Sequence, residues 1–301
     1  MEIHPTGHFD NSAKTYQHIE AVPLGAAMGA EIRGIQVPDL TDESFAEVAD
    51  ALYRHKMTFF RGQNISHSDH EDFTRRFGAF GRDAYTPGLK EHPEIQPVLK
   101  EAESKAHMIF GGAWHTDSPF LPQPPAITIL MGRDIPSYGG DTMWANSALA
   151  YAFLSDTMKE TLAHLRVHMS ARTVLSEVMK GAEKFGEKSL GGTPLKFDAE
   201  PMIAGAFHPL VRTHPVTGEK ALYVDDSYAV SIEGMTEPEA ETILGFLRHH
   251  VTQPAFTCRL RWEPNTLTLW DNRLCLHHAF NDHDGSRREM FRTTVLGEVP
   301  A

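Results

Sequence analysis

Three side chains in two distant segments are of the types that ligate a divalent metal ion. His115 and Asp117 lie two residues apart in the run 114–118, which we predict to be a strand. Alternate residues of a strand share a face at a spacing of about 6.6 Å, so the imidazole and the carboxylate converge. A lone His-x-Asp pair is weak evidence in a chain with 18 histidines. The prediction therefore depends on a third ligand, which the run 270–278 can supply through His277 or His278.

Two imidazoles and one carboxylate leave three positions open on an octahedral metal ion. This facial triad is typical of non-haem Fe(II) oxygenases, whereas a closed zinc site takes four protein ligands. His278 stands next to His277 and faces the opposite side of a strand, so only one of the two can join the triad. The pattern favours an open metal site at which small molecules bind.

Two arginines on a predicted strand, 288–296, are candidate binding groups for anions. Arg288 and Arg292 are four residues apart, so they project from the same face with their Cα atoms about 13 Å apart. That separation suits two anionic groups or the two ends of one molecule. Planar guanidinium groups bind carboxylates and sulfonates through two parallel hydrogen bonds.

Local arginines are needed because the chain as a whole is acidic. Its 301 residues contain 28 Lys plus Arg against 40 Asp plus Glu, a net charge of −12. The summed field repels polyanions, so we expect neither nucleic acid nor an acidic membrane as a partner. Two cysteines are too few for a disulfide framework, and the first residues do not form a signal peptide. These features predict a cytoplasmic protein.

Short strands dominate the elements that must position these residues. The period-two alternation of buried and polar residues is clearest at 256–262, and further strands are predicted at 19–23, 30–37, 57–60, 127–131, 142–145, 207–213, 221–224 and 267–269. Helices are predicted after Thr41, after Ser66, within 147–165 and after Thr236. Because strands and helices do not alternate, the pattern favours a mainly β fold of jelly-roll or barrel type with peripheral helices.

We predict a single domain over 1–301 with two candidate mobile loops at the active site. The first is 81–112. The second is 179–206, which carries five glycines and two prolines without a hydrophobic period, a composition that is typical of a loop or lid.

Several blocks of the chain resemble the Fe(II)/2-oxoglutarate dioxygenases of the taurine and 2,4-D dioxygenase family. They are His115-x-Asp117, the Gly-Gly-Asp-Thr segment 139–142, the run 270–277, and Arg288 with Arg292. The segments 208–215 and 256–262 are also similar, so the resemblance covers nearly the whole chain. It implies a double-stranded β-helix, a jelly-roll core, which agrees with the strand pattern.

The resemblance also implies a role for each of these residues. His115, Asp117 and His277 would ligate Fe(II) and form the catalytic centre. Arg288, assisted by the hydroxyl group of Thr142, would bind the distal carboxylate of 2-oxoglutarate, and Arg292 would lie near that cosubstrate or near an anionic group of the substrate. The implied reaction uses O2 to hydroxylate a C–H bond and releases succinate and CO2. The family also suggests a dimer or a tetramer.

The loop 81–86 departs from the taurine enzymes and changes the expected substrate. It reads Gly-Arg-Asp-Ala-Tyr-Thr where those enzymes carry a histidine and a tyrosine for the sulfonate. The carboxylate of Asp83 would repel a sulfonate, whereas Tyr85 and Phe120 suit an apolar or aromatic body. We therefore expect a small anionic substrate other than taurine, such as another sulfonate, a sulfate ester or an aryloxyalkanoate.

Two other functions are compatible with the same three ligands. A metal-dependent hydrolase that holds zinc at the triad would turn over its substrate without O2 or 2-oxoglutarate. A jelly-roll protein that binds a metal without catalysis would form no succinate under any condition.

Overall fold

The computed structural model describes residues 6–104, 111–185, 189–190 and 192–301, with the backbone alone for 181–185 and 189–190. The strands in this part of the chain are β1 Glu20–Pro23, β2 Ala30–Arg33, β3 Met57–Phe60, β4 Gln96–Lys100, β5 Pro125–Asp134, β6 Thr142–Asn146, β7 Arg166–Met169, β8 Ser189–Leu190, β9 Thr193–Pro194, β10 Ala206–Pro209, β11 Val211–Thr213, β12 Lys220–Leu222, β13 Ala229–Ile232, β14 Thr257–Leu260, β15 Leu267–Asp271, β16 Cys275–Ala279 and β17 Arg288–Leu296. The α-helices are α1 Asp42–His55, α2 His67–Phe77, α3 Ser147–Ala152, α4 Asp156–Leu162, α5 Arg172–Phe185, α6 Ala199–Ala204 and α7 Glu237–Val251. The predicted mainly β architecture with helices is confirmed.

Two sheets supply the strands that surround the candidate site. The larger has seven strands in the order β1-β2-β3-β15-β5-β17-β4, and the smaller has the order β14-β6-β16. Trp144 on β6 and Trp270 on β15 pack edge to face with ring centroids 5.8 Å apart. Met290 of β17 and Cys275 of β16 join the same buried cluster. A hydrophobic core therefore joins the two sheets.

Helices α1 and α2 cover the other face of the larger sheet. Leu52 of α1 and Phe73 of α2 are buried in one cluster with Phe60, Ile129 and Leu267 from three strands. Burial of large apolar side chains of this kind contributes about 1.5–3 kcal/mol for each residue. None of the described helices is long and apolar enough to cross a membrane.

Local signals in the sequence predict the starts of three helices correctly. Thr41 caps α1 by accepting a hydrogen bond from the backbone N–H of Ser44. Capping boxes start α2 and α7, formed by Ser66 with Asp69 and by Thr236 with Glu239. Such reciprocal caps satisfy backbone donors that have no partner within the helix.

Two of the predicted elements were wrong, and a third is divided. The run 114–118 forms no strand but a single bridge between His115 and His277, and Ser118 has a positive φ of 44°. The helical pattern predicted within 147–165 is confirmed and forms two helices, because the side chain of Ser155 caps a second one, α4. The segment 179–206 is not wholly irregular, since it contains the end of α5 and all of α6 with Met202 buried.

The mobility of the two predicted loops remains a prediction. Residues 105–110 of the first segment, and 186–188 and 191 of the second, lie outside the described residues. In the part that is described, the two segments contact each other, because the amide N–H of Leu99 donates to the hydroxyl oxygen of Thr193 at 2.7 Å. The N–H of Lys196 donates to the carbonyl of Tyr85 at 2.8 Å.

Candidate metal centre and its cavity

Backbone hydrogen bonds bring His115 and His277 side by side, although they are 162 positions apart in the chain. The N–H of His115 donates to the carbonyl of His277 at 3.0 Å, and the reverse bond measures 2.8 Å. Their ring centroids are 3.9 Å apart. One potential ligand atom from each of His115, Asp117 and His277 lies within 4.8 Å of the other two, and all three residues are buried. The structure thus brings the predicted triad together.

The donor atoms of the triad fit a divalent metal ion. Nδ1 of His115 donates to the carbonyl of Ala113 at 2.8 Å, which leaves the lone pair of Nε2 free to bind a metal. His277 has a buried Nδ1 that meets no partner among the described residues, and its Nε2 is 3.9 Å from Asp117. Nε2 of His277, which faces the carboxylate of Asp117, is therefore the atom that would bind the metal ion.

Electrostatics keep the three side chains in the protonation states that metal binding requires. Burial lowers the pKa of His115 and of His277, so both imidazoles are neutral near pH 7. Burial alone would raise the pKa of Asp117, but opposing interactions, of which the charge of Arg292 is the largest, outweigh it and lower that pKa to about 2. Neutral imidazoles and an ionised carboxylate bind a metal without first losing protons.

A chain of hydrogen bonds that the sequence analysis missed fixes the carboxylate of Asp117. The hydroxyl of Thr128 donates to Asp117 Oδ2 at 2.5 Å. Nδ2 of Asn272 donates to the Thr128 hydroxyl at 2.8 Å, and the indole N–H of Trp270 donates to Asn272 Oδ1 at 2.9 Å. A threonine inside the apolar run 127–131 was the only signal available in the sequence.

Replacing Thr128 with valine should weaken metal binding by about 10–100-fold, because residues that orient a metal ligand contribute on that scale. The affinity can be measured by anaerobic titration with Mn(II). Thr58→Val is the matched control, since the Thr58 hydroxyl on β3 is also buried and has no partner in the described part of the chain. Equal affinities of Thr128→Val and wild type would show that Thr128 does not position Asp117.

Asp225 holds the turn between the first two ligands, and the sequence analysis missed it as well. Its Oδ1 accepts from the backbone N–H of Tyr228 at 2.7 Å and of Ala229 at 3.0 Å. Its Oδ2 accepts from the N–H of Thr116 at 3.3 Å. Burial raises the pKa of Asp225 to about 6, although these hydrogen bonds oppose the shift.

The raised pKa of Asp225 predicts a pH-dependent stability. The folded state holds this proton more tightly than the unfolded chain, whose aspartates titrate near pH 3.9. The contribution of Asp225 is therefore complete below about pH 4 and is lost as the pH rises through about 6. Denaturant titrations should show the free energy of unfolding of wild type, relative to Asp225→Asn, falling by about 2 kcal/mol between pH 4 and pH 7. A pH-independent difference would contradict this account.

Arg288 is a buried cation without a carboxylate partner. No Asp or Glu of the described residues lies within ion-pair distance of it, and its Nε has no hydrogen-bond partner there. Burial lowers the pKa of its guanidinium to about 10. Nearby, the hydroxyl oxygen of Thr142 accepts from the indole N–H of Trp262 at 2.9 Å, so the Thr142 proton is free to point elsewhere. Arg288 and Thr142 both line the cavity that contains the triad.

Arg292 also lines this cavity, but its surroundings are different. Its Nη1 donates to Asp117 Oδ1 at 3.1 Å, and its Nη2 donates to Asp83. Asp83 itself lies behind Arg292 and does not line the cavity. The expected direct contact of Asp83 with a substrate in this cavity is therefore not supported.

The two aromatic residues expected to face the substrate occupy different layers. Tyr85 lines the cavity. Phe120 does not: it is fully buried behind the wall, with ring centroids 5.7 Å from Tyr85 and 5.2 Å from Tyr228. Phe120 thus supports the wall instead of facing the substrate. Tyr228, which the sequence analysis did not single out, lines the cavity instead of Phe120. Its hydroxyl group accepts a hydrogen bond from the hydroxyl group of Tyr85 at 3.1 Å.

Comparison with known proteins places this site in a class. Residues 20–294 match the model of the family described as "Taurine catabolism dioxygenase TauD, TfdA family". The alpha-ketoglutarate-dependent sulfate ester dioxygenase of Pseudomonas putida is 30% identical, over 94% of this chain and 91% of the relative. The (S)-phenoxypropionate/alpha-ketoglutarate-dioxygenase of Delftia acidovorans is 29% identical, over 87% of this chain and 89% of the relative. A solved taurine dioxygenase from Burkholderia xenovorans is 34% identical with a TM-score of 0.78, over 95% of this chain and 91% of the other.

Site and comparisons together define a non-haem iron dioxygenase that depends on 2-oxoglutarate. Its cofactor is Fe(II), and its cosubstrates are 2-oxoglutarate and O2. The chain belongs to the TauD/TfdA family, as its sequence motifs predicted. The comparisons do not favour the hydrolase or the non-catalytic metal-binding protein.

Proposed function

We propose that this dioxygenase hydroxylates a C–H bond of a small organic acid. One O2 and one 2-oxoglutarate are consumed for each hydroxyl group formed, and succinate and CO2 are released. The observation that carries this proposal is the convergence of His115, Asp117 and His277 in a cavity that also contains the unpaired Arg288. The names of the relatives support sulfate esters, other sulfonates and aryloxyalkanoates as substrate classes, with taurine itself not expected.

The residues of the cavity divide the work in this proposal. His115, Asp117 and His277 hold Fe(II), which together with 2-oxoglutarate and O2 supplies the oxidising power for the C–H bond. Arg288 and the Thr142 hydroxyl bind the distal carboxylate of 2-oxoglutarate, since a buried guanidinium without a counter-ion is a strong carboxylate site. The substrate lies against Tyr85, Tyr228 and Arg292, while the apolar side chains of Val98, Leu130 and Trp270 exclude water.

Further features of the whole protein belong to the same proposal. The seven-stranded and three-stranded sheets form the two walls of a double-stranded β-helix within a single domain, 1–301. The segments 81–112 and 179–206, which contact each other beside the cavity, are its active-site loops. We expect a dimer or a tetramer, which light scattering can test. A reducing cytoplasm suits the two cysteines, Cys258 and Cys275, which are both free and buried.

Succinate formation tests the proposed function directly. The protein with Fe(II), 2-oxoglutarate and O2 is incubated with a panel of sulfonates, sulfate esters, aryloxyalkanoates and other organic acids. We expect at least one acid to raise succinate release well above the rate without substrate, together with a hydroxylated or fragmented product. Cleavage of a sulfate ester without O2 and 2-oxoglutarate would contradict the proposal and favour the hydrolase.

A further inference from the structure

Asp83 is an ionisable residue beside the cavity that neither metal binding nor 2-oxoglutarate binding requires. Its Oδ1 accepts three hydrogen bonds, from the backbone N–H of Tyr85 at 2.9 Å and from the N–H and hydroxyl of Thr86 at 2.7 and 2.9 Å. Its Oδ2 accepts from Arg292 Nη2. The side chain is only 4% exposed. The carboxylate is therefore fixed on both sides and cannot turn away from Arg292.

The two arginines of the cavity consequently differ in how far their charge is compensated. Arg288 has no carboxylate within ion-pair distance among the described residues. Arg292 has two, since one terminal nitrogen contacts Asp117 and the other contacts Asp83. Donors remain on Arg292, because its buried Nε meets no partner in the described part of the chain. Arg292 can thus still donate hydrogen bonds, but it offers no unbalanced positive charge.

The net charge of the site with Fe(II) and 2-oxoglutarate bound determines whether an anionic substrate can be accommodated. The Fe(II) ion balances the 2-oxoglutarate dianion, and the two arginines balance Asp83 and Asp117. An anionic group placed at Arg292 would then leave a net negative charge in a buried cavity, which is costly. Without Asp83, the same anionic group would restore neutrality.

We infer that Asp83 is a specificity-determining residue: by supplying the counter-charge of Arg292, it makes the site favour substrates that present an uncharged hydrogen-bond acceptor to Arg292 over substrates that present an anion there. Suitable acceptors are the oxygens of an amide, an ester or a sulfone. The inference rests on the proposed function and narrows its substrate class. An acid group at the solvent side of the cavity carries no such penalty, because water solvates it.

Matched pairs of ligands test this inference without turnover. One pair is 2-phenoxypropionate and its primary amide, and the other is an alkyl sulfonate and the corresponding methyl sulfone. Their dissociation constants are measured anaerobically, from the change that each ligand causes in the visible absorption of the protein with Fe(II) and 2-oxoglutarate. We expect wild type to bind the uncharged member of each pair at least as tightly as the anion.

Asp83→Asn removes the charge and keeps an oxygen that can accept the hydrogen bonds of Tyr85 and Thr86. In this variant the ratio of affinities should shift at least tenfold toward the anionic member of each pair. A purely structural role of Asp83 would weaken both members alike and leave the ratio unchanged. Asp72→Asn is the control, because it removes the same charge from a side chain that is 74% exposed, and its ratio should equal that of wild type.

Two results would overturn the inference: a wild type that prefers the anions by more than tenfold, or a ratio that Asp83→Asn does not change. If Asp83→Asn does not fold, the ratio of the wild-type affinities for the anionic and the uncharged ligand still tests the inference. Succinate formation with some acid, together with either of these results, would reject the inference and keep the proposed function. A wild type that binds no member of either pair, and forms no succinate with any compound of the panel, would count against both.

Discussion

Replacing His277 with alanine should weaken the binding of a divalent metal by more than about 100-fold, and should abolish succinate formation. The effect should exceed the 10–100-fold typical of residues that merely orient ligands, because the variant loses one of only three protein ligands. The remaining pair, His115 and Asp117, would leave most of the coordination sphere to water. Titration with Mn(II), followed by the electron paramagnetic resonance of the free ion, measures the affinity without oxygen chemistry.

His278→Ala is the matched control for this experiment. It removes the same side chain from the next position of β16, where the ring packs against Trp114 with a centroid distance of 5.6 Å. His278 does not line the cavity, so its variant should keep the metal affinity of wild type. Equal losses in both variants would show that the effect arises from disturbing β16 and not from removing a ligand.

Arg288→Gln should raise the dissociation constant of 2-oxoglutarate by about 100-fold. Truncating one partner of a buried charged pair costs about 2–5 kcal/mol, and each 1.4 kcal/mol is about tenfold in affinity. The constant can be read from anaerobic titrations of the Fe(II)-loaded protein. Arg166→Gln is the control, since Arg166 pairs with Glu233 at the surface and should leave the affinity unchanged.

A second ligand shows which end of 2-oxoglutarate Arg288 recognises. A 2-oxo acid without the distal carboxylate cannot form this ion pair, so its weaker binding should be nearly the same in wild type and in Arg288→Gln. If the variant loses affinity for both ligands equally, Arg288 does not bind the distal carboxylate, and its assigned role is incorrect.

The convergence of His115, Asp117 and His277 could be predicted although the strand expected to carry two of the three residues does not form. Alternation along a strand placed His115 and Asp117 on one side, yet 114–118 pairs with β16 only at His115. The side chain of Asp225 holds Thr116, and Thr128 holds Asp117. These side-chain bonds achieve the convergence that a strand would have given, and no local pattern reveals them.

Elements with local signals were predicted better than those stabilised by distant packing. The first turns of helices α1, α2 and α7 can be recognised in the sequence, because their capping residues lie within three positions of one another. Helices α5 and α6 lack such clear signals among glycines and lysines. Leu175 and Met202 are buried in the same large core cluster, a tertiary contact that composition does not show.

The ion pairs of Arg292 could not be predicted from the sequence, because they too depend on contacts between distant parts of the chain. Asp83 and Asp117 are 209 and 175 positions away from it, and only the fold shows that both carboxylates meet one guanidinium. The sequence analysis predicted that Asp83 would repel a sulfonate directly. It did not show that the carboxylate pairs with Arg292 and lies outside the lining of the cavity.

Anaerobic addition of Fe(II) and 2-oxoglutarate to the wild-type protein tests the central claim most directly. If His115, Asp117 and His277 hold iron with adjacent positions free, the cosubstrate chelates the metal and a visible charge-transfer band develops. The band should be absent from His277→Ala. A wild-type protein that stays colourless under these conditions would contradict the account.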